Sequence, residues 1–245
     1  MDIARSKPDG YSLMCTGVST VVVNPLLSKS IPYDVRKDFE PIAGIGGAGF
    51  FVLVNNANKA KNVKDMVAIA KSAAQPMRVG TLSPLGIIAY GLLQKAMGVE
   101  LSRVPYSAGY AGLIPDLARG DLDIVIEAIP GAINHVNNNT VSVLGVTTAQ
   151  RSAAAPDLPT FVEQGFDVNI SGFTAFFAPA GVPADILATL ERASLEALKD
   201  QELTKRFEAM ATATLPIGGK QVGELITNST REWAPIVDRL GLKQD

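Results

Sequence analysis

The order of strand and helix signals predicts an α/β fold with a parallel sheet. Three observations carry this. From Phe50 to Val146, short apolar stretches alternate with segments of helical periodicity, the pattern of successive βαβ units. Helix-start residues such as Asn62 and Ser83 stand between those segments, where a side-chain oxygen can accept from an otherwise unpaired backbone N–H. No apolar run approaches the roughly eighteen residues that cross a bilayer, and the longest, such as Phe50–Val54, are strand-sized.

Asp9-Gly10 reads as a turn feeding a short apolar strand that holds Leu13, Met14 and Cys15. Proline-punctuated turns follow at Asn24-Pro25 and Ile31-Pro32, and a strand starts at Pro41. Val21-Val22-Val23 has strand propensity. The glycine-rich stretch Ala43–Gly49 lacks the following helix of a phosphate loop and reads as a turn. Phe50–Val54 is predicted as a strand and Asn62–Ala74 as a capped helix with Val63, Met66, Val67 and Ala70 on one face. The alternation continues with strand 77–80, helix 86–97, strand 101–104, a helix over 109–118 stopped by Gly120, strand 122–126, helix 130–136 and strand 142–146. A last group comprises strand 172–178, a helix from Pro183 to Lys199, a helix capped by Asp200 through Met210, and a helix over 220–240 that Pro235 should kink or divide.

The 245 residues are 47% hydrophobic and 19% charged, with a net charge of −2. That balance fits an ordinary globular chain and argues against nucleic acid as a partner. A single cysteine excludes an internal disulfide, and Cys15 is expected to be a small buried side chain. The one histidine, His135, falls at a helix end or in the Asn-rich turn after it. Asp121 and Asp123 read as an exposed strand edge rather than a metal site. Neither Cys15 nor His135 stands in a nucleophile elbow, and no metalloprotease, Walker or dinucleotide motif occurs. An enzyme is therefore not expected, nor is a cofactor or metal.

The ordered series Pro8-Asp9-Gly10-Tyr11, Asn24-Pro25-Leu26-Leu27, Pro32-Tyr33-Asp34 and Lys37-Asp38-Phe39-Glu40-Pro41-Ile42 resembles the Bug-type (TctC-like) solute-binding proteins of tripartite tricarboxylate transporters. Val104-Pro105-Tyr106, Val146-Thr147-Thr148, Pro156-Asp157-Leu158-Pro159-Thr160 and Ala178-Pro179-Ala180-Gly181-Val182-Pro183 extend the likeness over essentially the whole chain. The resemblance implies a two-lobe, type II periplasmic-binding-protein architecture with two crossing strands, near residues 48–54 and 171–178, and it puts a short helix near Asn24-Pro25, in conflict with the strand propensity of Val21–Val23. Lobe one is expected at 1–49 and 174–245, and lobe two at 50–173. In the family a signal, a strand, a helix and a second strand precede the Pro8 block. Met1-Asp2-Ile3-Ala4-Arg5 has no apolar signal core, so lobe one is expected to be truncated at its N-terminus.

By the same likeness the function is a periplasmic receptor for a small organic carboxylate, with the membrane subunits of a tripartite transporter as partners. The loop from Thr81 to Gly86 is the first candidate site. There a strand gives way to a helix whose free N–H groups and positive end favour an anion, and Thr81 and Ser83 supply hydroxyls. Leu82 and Leu85 stand where the family has smaller residues, implying a partly blocked or more apolar site. Ser83 also reads as a plain N-cap. Ser107 and Ala108, Ser19 and Thr20, and Phe173 and Thr174 complete the expected ligand set by analogy, although each has an ordinary capping, turn or core reading as well. The alternative is a sensing or assembly module with little ligand binding, whose unpaired lobe-one strand edge would pair with a second copy.

Overall fold

The computed structural model describes residues 3–106 and 112–243. The chain forms two compact units, one of Met1–Gly47 with Gly172–Asp245, the other of Ala48–Ser171.

The first unit holds β1 (Met14–Gly17), a π-helical turn (Ser19–Val23) that continues into α1 (Asn24–Leu27), α2 (Val35–Asp38) and the start of β2 (Phe39–Val54). β1 pairs antiparallel with β7 (Ser171–Pro179), from Met14 opposite Phe177 to Gly17 opposite Thr174. β7 lies beside β2, and Gly46 and Gly47 of β2 pair with the two-residue β8 (Ala213–Thr214). Two amphipathic helices, α7 (Ala184–Ala197) and α8 (Gln201–Ala209), precede the long α9 (Gly219–Arg239). Ile42, Ala43, Ala178 and Val182 are buried against Ile186, Leu187, Leu190 and Leu195. One face of α7 therefore packs on a core.

The second unit begins with the far half of β2 and contains α3 (Val63–Ser72), β3 (Met77–Thr81), α4 (Pro84–Met97), β4 (Leu101–Pro105), α5 (Leu113–Arg119), β5 (Ile124–Ala128), α6 (Ile129–Asn137) and β6 (Ser142–Val146). Its strands run in the order β6-β2-β5-β3-β4. β3 is parallel to both β4 and β5, whereas β2 is antiparallel to β5 and β6. The sheet is thus mixed rather than wholly parallel. The α3 connection returns the chain to the sheet edge that β2 left, so β3 starts where β2 ends. Phe51, Leu53, Met66, Ile88, Leu93, Leu113, Leu117 and Phe161 fill the core.

The predicted helix starts are realised as side-chain caps. Asn62 accepts from the Asp65 N–H at 2.8 Å and Asp200 from the Leu203 N–H at 2.8 Å. α4 and α5 end at Gly98 (φ 61°) and Gly120 (φ 83°), left-handed positions that suit glycine.

Four expectations are corrected. Ala43–Gly49 is not a turn but lies inside the 16-residue β2. A Cβ on Gly46 would come within 2.4 Å of the Phe207 ring, and one on Gly47 within 2.4 Å of the Gly172 carbonyl oxygen. These glycines serve close packing on a strand rather than a bend. Val21, Val22 and Val23 are helical, not extended. All three are buried and their helix packs on α9, so burial overrides the β preference of branched side chains. Cys15 is exposed, because the alternation of a strand at the sheet margin turns it outward. Pro235 does not divide the last helix, which is continuous through it.

Candidate functional site

In the second unit, β3 ends at Thr81 and Ser83 caps α4. Ser83 Oγ accepts from the Gly86 N–H at 3.0 Å, and its carbonyl accepts from the Ile87 N–H at 3.2 Å. Pro84 at the first helical position has no N–H to offer. Leu85 is therefore the first-turn residue whose N–H is left for an outside acceptor.

Thr81 is only 3% exposed, yet its Oγ1 has no hydrogen-bond partner among the described residues. Such a hydroxyl costs free energy unless something accepts from it or donates to it. A Cβ on Gly86 would stand 3.3 Å from Ser83 Oγ, 3.5 Å from Thr81 Cβ and 4.0 Å from the Ile126 carbonyl oxygen. Glycine at this position keeps the helix start close to the ends of β3 and β5. Thr81, Ser83 and Gly86 are thus brought together as the sequence suggested.

Leu85 is buried at 4% exposure. Leu82 is half-buried.

The neighbouring strand ends belong to the same edge of the sheet. In the parallel register Thr81 lies beside Pro105 on β4 and beside Ile126 on β5. After β4, the Tyr106 hydroxyl donates to the Asp116 carboxylate on α5, which also pairs with Arg119. Burial, then the bond to this carboxylate, pushes the Tyr106 phenol up to about 12. Tyr106 therefore stays neutral and fastens one end of the connection to α5. Ser107 and Ala108 lie outside the described residues.

One residue beyond Ile126 is Glu127, a carboxylate only 7% exposed. Its Oε1 accepts from the Ala128 N–H at 2.9 Å, at the start of α6. Sequence reasoning passed over it. The available signal was one acidic residue inside the apolar run Ile124-Val125-Ile126-Glu127-Ala128-Ile129.

The remaining candidates belong to the first unit. Gly17 at the end of β1 pairs with Thr174, and a Cβ on Gly17 would lie 3.3 Å from the Phe173 carbonyl oxygen. Phe173 is buried at 5% exposure, whereas Thr174 is half-buried. Thr16 and Thr20 share a hydroxyl–hydroxyl bond of 2.8 Å, and the Tyr33 hydroxyl donates to the Thr20 carbonyl at 2.7 Å. Ser19 and Thr20 occupy the π-helical turn, a helix form that often marks functional positions.

His135 lies in the last turn of α6. Asp123 pairs with Arg78 at 3.0 Å and Asp121 with Arg119 at 3.0 Å. Among the described residues no group of three or more His, Cys, Asp or Glu is placed to hold a metal ion, and no helix is long and apolar enough to cross a membrane.

The chain is 32% identical over 222 residues to a UPF0065 protein of Bordetella bronchiseptica, matching 89% of this chain but only 63% of that relative's length. It is 28% identical over 246 residues to protein BugT of Bordetella pertussis, covering 98% of this chain and 74% of the relative. Among solved structures, Rpa4515 of R. palustris, determined with adipate, superposes with a TM-score of 0.83 at 22% identity, over 98% of this chain and 81% of that one. Residues 1–242 match the family described as tripartite tricarboxylate transporter family receptor, and the chain belongs to that family.

Proposed function

We propose that the chain binds a small organic carboxylate as the receptor of a periplasmic tripartite tricarboxylate-type transporter, whose membrane subunits it would supply. The observation that carries this is the buried Thr81 hydroxyl, without a partner among the described residues, beside the start of the 14-residue α4. Fixed donors and a positive helix end at the C-terminal ends of parallel strands favour a carboxylate. The family assignment and the adipate held by the similarly folded Rpa4515 support the same ligand class. In this reading Thr81, Ser83 and Gly86 form the principal contact. Ser19, Thr20, Phe173 and Thr174 belong to the first unit, and Ser107 and Ala108 lie outside the described residues.

A hydrogen bond to a charged group contributes on the order of 1.5–3 kcal/mol. Thr81→Val should therefore weaken carboxylate binding about tenfold or more, with stability retained or raised because a buried unpaired hydroxyl is removed. Ser83→Ala should cost roughly 1 kcal/mol of stability through the lost cap, with a similar loss of affinity if the hydroxyl also reaches the ligand. Calorimetric titration across mono-, di- and tricarboxylates, beside thermal melts, measures both effects. A flat response of the wild type to the whole panel would overturn the assignment.

A second reading rests on β1. Among the described residues it pairs only with β7, and it carries the exposed Cys15. Such an edge offers unpaired backbone groups to another strand. A dimer formed through it should appear in light scattering at high concentration and be weakened by a proline at Cys15. A strictly monomeric species would remove this reading.

A further inference from the structure

The π-helical turn Ser19–Val23 runs straight into α1, whose second residue is Pro25. The Asn24 N–H donates to the Ser19 carbonyl, the spacing of a π turn. In that register the donor to the Thr20 carbonyl would be residue 25, and proline has no N–H. In an α register Asn24 would serve Thr20 instead, and the carbonyl left over would be that of Val21, a residue only 2% exposed. Whichever register the helix takes, Pro25 leaves one carbonyl without a helix donor. The Tyr33 hydroxyl stands at Thr20 and donates to its carbonyl at 2.7 Å. It thereby meets the need of the π register and not that of the α register.

Tyr33 is itself held in place. Its ring lies edge-on to Phe39 at 6.0 Å, and the Asn24 side chain bonds to the same hydroxyl. Burial pushes the Tyr33 phenol above its ordinary value, against the effect of that bond, so the hydroxyl keeps the proton it donates. Asn24-Pro25 and Pro32-Tyr33 are thus two halves of one device, in which the first removes a donor and the second replaces it. Beside it, Thr16 and Thr20 share one hydroxyl–hydroxyl bond of 2.8 Å. Two hydroxyls carry two protons, so one is left to donate elsewhere.

We propose that Tyr33 is a positioning residue for ligand binding: by holding this turn in its π register, it fixes where Ser19 and Thr20 present their hydroxyls to a small carboxylate. This rests on the reading of the chain as a carboxylate receptor, with Ser19 and Thr20 among its contacts. A π turn holds one residue more than an α turn. Its loss would rotate the side chains at the helix start by up to roughly 100° about the axis.

Tyr33→Phe keeps the ring and removes only the hydroxyl. NMR couplings through hydrogen bonds, measured on deuterated protein, should connect the Asn24 N–H with the Ser19 carbonyl in wild type and with the Thr20 carbonyl in the variant. Calorimetric titration with succinate and adipate should show the variant binding whichever of them wild type takes about three- to tenfold more weakly, the worth of one net hydrogen bond. A thermal melt checks that the variant is folded. If it is not, the wild-type coupling decides, and an Asn24 N–H coupled to Thr20 there overturns the inference. A coupling that stays on Ser19 in the folded variant overturns it too, as does unchanged affinity. Failure of wild type to bind any carboxylate instead removes the receptor reading and the ligand half of this inference, while the couplings still decide whether Tyr33 sets the register.

Discussion

Replacing Thr147 with valine is expected to destabilise the second unit by on the order of 2–5 kcal/mol, since each buried polar group left unpaired costs about 1–3 kcal/mol. Thr147 is fully buried. Its hydroxyl accepts from the Phe50 N–H at 2.9 Å and donates to the Ile170 carbonyl at 2.7 Å. The Thr147 backbone adds bonds to the same two residues, at 3.0 Å and 2.8 Å. One side chain thereby joins the segment where β2 enters the unit to the segment where the chain leaves it. Valine has nearly the same shape but neither donates nor accepts, so the loss reports the hydrogen bonds and not a cavity. Thr147→Ser, which keeps the hydroxyl, should recover most of the stability. Urea unfolding of the three proteins measures this, and a valine variant as stable as wild type would show that the backbone groups find other partners.

Gly219→Ala is expected to cost the first unit about 3 kcal/mol or more, at the upper end of what forcing extra atoms into packed structure costs. Gly219 is the first residue of α9, and its N–H donates to Glu191 at 2.9 Å. A Cβ there would lie 2.0 Å from the Pro41 carbonyl oxygen and 3.2 Å from that of Ile42. These are backbone atoms of β2, so relief requires the helix start or the strand to move. Gly223→Ala on the same helix is the control. Its Cβ would meet only Pro41 Cγ at 3.8 Å, an ordinary contact, and helix propensity should make that change neutral or stabilising by about 0.4–1 kcal/mol. Thermal melts of the pair separate close approach from any general need for glycine in α9. Equal melting temperatures would count against the stated packing.

Local chemistry was legible where it acts within a few residues. The caps at Asn62, Ser83 and Asp200 were readable because the interaction spans three residues of chain, and Gly120 because a helix end asks for a left-handed residue. The loop Thr81–Gly86 was readable for the same reason, since a strand end, a cap and a proline at the first helical position are consecutive. The series around Pro8–Ile42 carried the family resemblance before any geometry was available.

What the amino-acid sequence determined by itself is the succession of strands and helices in the second unit, the capped starts of its helices, and the loop in which a helix end meets two hydroxyls. Tertiary structure decided the rest. Ala43–Gly49 became a strand because the Phe207 ring and the Gly172 backbone lie where side chains would go. Val21–Val23 became helical because α9 covers them. Cys15 turned outward because its strand lies at the sheet margin. Thr81 and Ile126 came to one sheet edge through a pairing between residues 45 positions apart. In each case the deciding neighbour is remote in sequence, and short-range propensity carries no information about which distant surface a segment will meet.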